Sequence, residues 1–127
     1  MAFAWEDYLK LARSLQGQSG AAAIQEAAHR SAVSRAYYAA FCHARNYARD
    51  SEGFLPSRGP KDHELVRDHY QRKGRPGLAL DLDRLRAWRN RCDYDDTVTE
   101  LAQMLPAALK SAQDILRRLP SRRDRGF

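Results

Sequence analysis

Apolar residues recur along the chain at three- and four-residue steps, and no stretch alternates apolar with polar residues as a half-buried strand does. Trp5, Tyr8, Leu9, Ala12 and Leu15 form one stripe, which predicts a helix from about Trp5 to Gln16; Gly17 and Gly20 punctuate its end. Ser19 is the expected cap of a long second helix, from about Ala21 to Arg49. Ile24, Ala27, Ala28, Ser31, Tyr38, Phe41 and Cys42 mark its broad inward face, whose small residues let neighbouring helices approach closely. Ser51 to Pro60 holds two glycines and two prolines and reads as a loop. A third helix is predicted from about Lys61 to Arg72, with Leu65, Val66 and Tyr70 inward, ending at Gly74-Arg75-Pro76-Gly77. A fourth covers about Leu78 to Cys92, with Leu78, Leu82, Leu85 and Trp88 inward. Asp95-Asp96-Thr97 reads as a turn and cap, and Glu100 stands where a capping box with Thr97 needs it. The fifth helix carries Val98, Leu101, Leu105, Ala108, Leu109, Ala112, Ile115, Leu116 and Leu119, the cleanest amphipathic stripe in the chain. Pro106 inside it predicts a kink near Ala102 to Leu105, where the proline removes a backbone donor.

Alanine, arginine and leucine dominate, all good helix formers, and β-branched residues are scarce. The predicted fold is all-α: an antiparallel up-and-down bundle of about five helices. One domain over residues 1–120 is followed by a basic tail over 121–127. The Ser51–Pro60 loop is not a domain boundary, because neither half could bury a core alone. Hydrophobic residues make up 43% of the 127 positions, which argues against a disordered chain. No apolar run approaches the roughly 20 residues that a membrane span needs. The first ten residues contain Glu6 and Asp7 and no apolar segment, so no signal peptide is expected. Cys42 and Cys92 are the two cysteines, without zinc-finger spacing. Lone thiols fit a reducing cytoplasm, and a disulfide between them would require proximity that sequence does not supply.

The net charge of +6 suits a polyanionic partner such as RNA. Part of it is one run, Arg117, Arg118, Arg122, Arg123 and Arg125, which reads first as a solvated helix end that complements the helix dipole. His29, His43, His63 and His69 do not make a metal site: four residues after His63-Glu64 stands Arg67, not the histidine a zincin helix needs. No Gly-rich phosphate loop and no Ser-His-Asp set occurs, so neither cofactor nor metal is expected.

Two motifs lie in order along the predicted bundle. Ser34-Arg35-Ala36-Tyr37-Tyr38-Ala39-Ala40-Phe41 lies in the second helix, and Arg89-Asn90-Arg91-Cys92-Asp93-Tyr94-Asp95 ends the fourth. With His63 following the Gly/Pro loop, this pattern resembles the HEPN family from about Trp5 to Leu119, closest to the branch whose second motif ends in Asp-Tyr. The resemblance implies a homodimer in which two arginine-centred motifs face one another across a shared cleft. It also implies association with RNA or a nucleotide-bearing partner. Ribonucleolytic members place a histidine four to six residues after the arginine; Arg89 matches the arginine and Asn90 the polar residue beside it. The histidine position departs, since Tyr94 stands five residues after Arg89 and no histidine follows. The family implies the toxin half of a toxin–antitoxin pair, with a minimal nucleotidyltransferase as its partner. The alternative is a non-catalytic dimeric helical module for binding or assembly.

Chemistry sets the roles of the motif residues. At 100° per residue, Arg89 and Asp93 lie about 40° apart on a helix, as do Asn90 and Tyr94. Metal-independent ribonuclease chemistry needs a proton acceptor for the 2′-hydroxyl and a cation for the developing phosphorane charge. Arg89 supplies a cation whose planar fork suits phosphate. Proton handling falls to Asp93 or Tyr94, although a phenol with an ordinary pKa of about 10 is a poor base at neutral pH. In the structural alternative, Arg89 pairs with Asp93 on an exposed helix end and Tyr94 is a core aromatic. Asn90, Arg35 and Tyr38 are the candidate binding residues. Arg35 either lies beside the Arg89 cleft or forms a buried ion pair that orients the second helix against the fourth. Tyr37 and Tyr38, as helical neighbours, cannot both face the core, so one of them can line a dimer seam or stack on a base.

Overall fold

Between Ala32 and Ala44 of the second helix nearly every side chain is buried, including five alanines, Val33, Tyr37, Phe41 and Cys42. Residues this small let other helices pack on all sides of one axis. That helix, α2 (Ala22–Glu52), touches every other helix: α1 (Glu6–Gln16), α3 (Asp62–Arg72), α4 (Pro76–Tyr94) and α5 (Leu101–Arg118). At 31 residues it is about 46 Å long, the central post of a five-helix bundle. The structure, a computed structural model, describes residues 2–121; apart from Ser121, the basic tail falls outside the described residues. Among the described residues there is no strand, and no helix is long and apolar enough to cross a membrane.

The core follows the stripes read from sequence. Leu9 and Ala12 of α1, Val66 and Tyr70 of α3, Leu78, Leu82 and Leu85 of α4, and Leu105, Ala108, Leu109, Ala112 and Ile115 of α5 are buried with Leu119. Tyr70 donates its buried hydroxyl to Ala44 O at 2.7 Å, so the phenol is satisfied inside the core. Cys42 and Cys92 are buried and free, and burial pushes both thiols up to about 11.

Several local expectations fail for identifiable reasons. Ser19 caps nothing; α2 begins after Ala21 without a side-chain cap, and the Gln25 amide donates to Gly20 O instead. Ile24, Ala27 and Ser31 are exposed, because no described helix covers that side of the first turns of α2; Ile24 is 59% accessible. Leu65 is likewise at the surface. The helix continues to Glu52, three residues past the expected end, and stops where Gly53 adopts φ 73°. Pro76 opens α4 at its first position, where the missing N–H costs nothing, so the helix starts two residues before Leu78. The Thr97–Glu100 capping box does not form: α5 starts at Leu101, and the Glu100 carboxylate accepts from Arg91 at 2.5 Å and from Thr99 Oγ1 at 3.0 Å. The helix runs unbroken through Pro106, which sits on its exposed side.

Candidate nucleic-acid interface

The last two turns of α4 pack beside Ser34, Tyr37 and Tyr38 of α2, which joins the two motifs on one face. Arg89 is its centre. Its Nη1 donates to Asn90 Oδ1 at 2.7 Å, and its guanidinium lies 5.1 Å from the Tyr38 ring centre and 5.6 Å from that of Tyr94. The Nε stands 2.9 Å from Asp93 Oδ2, yet its N–H is not directed at that oxygen; the contact is an ion pair rather than an aligned hydrogen bond. Ser34 Oγ donates to the same carboxylate oxygen at 3.3 Å. The Arg89 side chain is only 17% accessible, so it is not the exposed helix-end arginine of the structural alternative. Tyr94 is not a core aromatic: it is 73% accessible, with its ring against Arg89 and its hydroxyl free of any bond to a described residue.

The structure thus brings together Arg89, Asn90, Asp93, Tyr94 and Tyr38. It leaves Arg35 out. Arg35 points to α1, its guanidinium 5.1 Å from the Tyr8 ring centre, and it has no acid partner among the described residues. Arg35 and Tyr38 are three positions apart on α2, but the helix packs against α1 on one side and α4 on the other.

Two further residues shape this face: Arg30, which the sequence reading passed over, and His63, which it named only as part of the motif pattern. Arg30, one turn before Ser34, donates from Nη1 to Cys92 O at 3.2 Å and Asp95 O at 2.6 Å, and from Nη2 to Asp96 O at 3.1 Å. These carbonyls end α4, where the helix leaves acceptors unpaired and the dipole is negative. The second is His63, at the start of α3. Its ring stacks on Phe41 with centres 4.4 Å apart, and its Nδ1 is hydrogen-bonded to the Tyr37 hydroxyl. Tyr38 presents its ring edge-on to the same imidazole, with centres 6.4 Å apart. Burial, then the charges of Arg86 and Arg89, lower the His63 pKa against the opposing pull of Asp62. The ring is therefore neutral at pH 7. Burial also raises the Tyr37 phenol well above its ordinary value.

Loop chemistry holds His63 in place. Asp62 accepts from Ser57 N at 2.8 Å, Ser57 Oγ at 2.7 Å and Arg58 N at 3.0 Å, which folds the end of the Gly/Pro loop onto the first turn of α3. Burial pushes the Asp62 pKa up, but these hydrogen bonds outweigh it and hold the carboxyl below its usual range. Both Asp62 and His63 are lowered in the fold, so each contributes stability that is complete above its unfolded pKa. That contribution is lost as pH falls through the folded value. For His63 the window opens below about 6.5, and for Asp62 below about 3.9. Melting temperature should therefore fall as pH drops from 7 to 5, and His63→Gln should flatten that slope. Asp62→Asn should cost about 2 kcal/mol at pH 7 by thermal denaturation, through the lost charge-assisted bonds; an unchanged melting temperature would mean the loop is held otherwise.

Arg91 belongs to a separate ion pair with Glu100, at 2.5 Å, away from Arg89. Among the described residues no group of three or more His, Cys, Asp or Glu side chains is placed to hold a metal ion. Comparison with family models, with curated proteins and with solved structures gives no match to this chain.

Proposed function

We propose that the chain is an antiparallel HEPN-like helical module that associates with RNA through the Arg89 face and works in the cytoplasm as a homodimer. One observation carries this reading. Residues about fifty positions apart, Tyr38 on α2 and Arg89, Asn90 and Tyr94 on α4, converge on one face, with the guanidinium held against two tyrosine rings. Aromatic rings beside a fixed arginine offer stacking surfaces and a phosphate-seeking cation together, the combination that single-stranded RNA uses. The matching activity is ribonuclease-like, as the toxin half of a pair whose antitoxin is a minimal nucleotidyltransferase.

A second reading, a non-catalytic dimeric binding module, is favoured by the state of Asp93 and Arg89. Asp93 is engaged by Arg89 and Ser34 rather than open to a 2′-hydroxyl, and the Arg89 charge is already paired with Asp93. Fluorescence anisotropy with single-stranded RNA, followed by cleavage of a mixed RNA pool in excess EDTA, separates the readings. Salt-dependent binding is expected, because neutralised phosphates release counterions. Binding with cleavage that Arg89→Lys abolishes supports the ribonuclease; binding without cleavage supports the module. Absence of binding at low salt would refute both as RNA readings.

The dimer makes its own prediction. Ala23 and Ala27 lie with Tyr94 around one groove that Glu26, Arg30, Asp93, Asp95 and Asp96 complete, and the Tyr94 ring joins it to Arg89. A twofold contact there would bring two Arg89 side chains toward each other. Ala27→Glu, at an accessible position in that groove, should leave the melting temperature of the protomer nearly unchanged and shift light scattering from dimer to monomer. A wild-type monomer at micromolar concentration would rule the dimer out.

A further inference from the structure

Arg86 precedes Arg89 by three positions, so the two side chains are neighbours on α4. The Arg86 charge acts on both Tyr37 and His63. Arg89 is balanced by Asp93, but half-buried Arg86 has no hydrogen bond or ion pair with any described residue. Nearby carboxylates are engaged elsewhere: Asp93 by Arg89 and Ser34, Asp62 by Ser57 and Arg58.

Hydrogen-bond accounting fixes the tautomer of His63. The Tyr37 hydroxyl is buried and bonds only to His63 Nδ1 among the described residues. A buried O–H that donated to nothing would cost the full desolvation penalty, so the phenol donates and Nδ1 accepts. The proton of the neutral ring is then on Nε2. That N–H has no acceptor among the described residues. An imidazole N–H beside the tyrosine rings, and an arginine close enough for its charge to act on that imidazole, are thus both donors without acceptors among the described residues.

We propose that His63 Nε2–H and Arg86 together bind the non-bridging oxygens of an RNA backbone phosphate, with Tyr37 as the residue that positions His63. The proposal deepens the RNA reading of the Arg89 face and rests on it for the source of the phosphate. His63 acts here as a neutral donor, not as a base, and Arg86 rather than Arg89 supplies the uncommitted cation. An anion there gains two charge-compatible hydrogen bonds in a half-buried setting, where they are stronger than in water.

The full-length chain, labelled with nitrogen-15, provides the test. The imidazole spectrum should show the Nε2–H tautomer, and adding dimethyl phosphate should shift His63 Nε2 in the wild type but not in Arg86→Ala. With single-stranded RNA, Arg86→Ala and His63→Ala should each weaken binding about tenfold, the size of one charge-assisted contact. His63→Gln, which keeps an N–H donor, should lose less, and it guards against a packing defect in the alanine variant. An Nδ1–H tautomer, or wild-type RNA affinity in both Arg86→Ala and His63→Ala, overturns the proposal and leaves RNA binding by Arg89 standing. If dimethyl phosphate shifts His63 but the wild type binds no RNA, the phosphate site is supported and its RNA source is overturned.

Discussion

Arg89→Ala is expected to lower the melting temperature by about 10 °C and to weaken single-stranded RNA binding at least tenfold. The stability loss follows from what surrounds the side chain. Removing it breaks the ion pair to Asp93, the hydrogen bond to Asn90 and the contacts with two tyrosine rings. Asp93, whose side chain is 28% accessible, is left with Ser34 as its remaining partner. A truncation of this kind costs about 2–3 kcal/mol, which for a domain of this size is several degrees per kcal/mol. An exposed helix-end arginine would cost almost nothing, so a melting temperature within about 1 °C of the wild type would contradict the geometry. Because folding is affected, binding should be compared at a temperature where circular dichroism shows both proteins folded. Arg89→Lys, which keeps the charge without the fork or the flat stacking surface, should recover part of the stability and little of the binding.

Arg30→Ala should be comparably destabilising, at about 2–3 kcal/mol, since hydrogen bonds from a charged donor are each worth more than neutral ones. Its fork gathers the carbonyls of Cys92, Asp95 and Asp96, and its side chain is as buried as that of Arg89. The loss should be local before it is global. Hydrogen exchange should rise first at the end of α4, through Asp93, Tyr94 and Asp95, and RNA binding should weaken although Arg30 lies outside the proposed phosphate site. Arg30→Lys should rescue little, because one ammonium cannot span three carbonyls in a fixed plane. Unchanged exchange at Asp93–Asp95 would show that α4 ends without this clamp.

The helices were legible in sequence because their signals are local. Stripes at three- and four-residue spacing identified the inward faces of α1, α4 and α5, and Gly53, Gly74 and Pro76 mark real helix ends. The errors share a cause. Ile24, Ala27 and Leu65 are apolar at helical spacing, but whether a neighbouring helix reaches that level depends on tertiary packing that periodicity does not encode. Ser19, Thr97 and Glu100 are good capping residues, and Glu100 found a stronger partner in Arg91.

The site was half legible. Spacing alone put Arg89 beside Asp93, but it could not say that Tyr38 would close over the guanidinium or that Tyr94 would lie at the surface. Arg35 was drawn to the site by its motif and belongs to α1 instead, a difference decided by rotation about the α2 axis. Arg30 lies outside both motifs, and its role depends on the path of the chain after Tyr94. His63 was visible as a motif residue, but its pairing with Tyr37 spans 26 positions and rests on how the Gly/Pro loop folds around Asp62.

The most direct measurement is the map of backbone amide shifts when a short single-stranded RNA is added to the nitrogen-15-labelled wild type at low salt. Recognition by the Arg89 face predicts the largest shifts at Ser34, Tyr37, Tyr38, His63, Arg86, Arg89, Asn90 and Tyr94, fading as salt rises. Shifts confined to the basic tail and the end of α5, or no shifts at all, would contradict it.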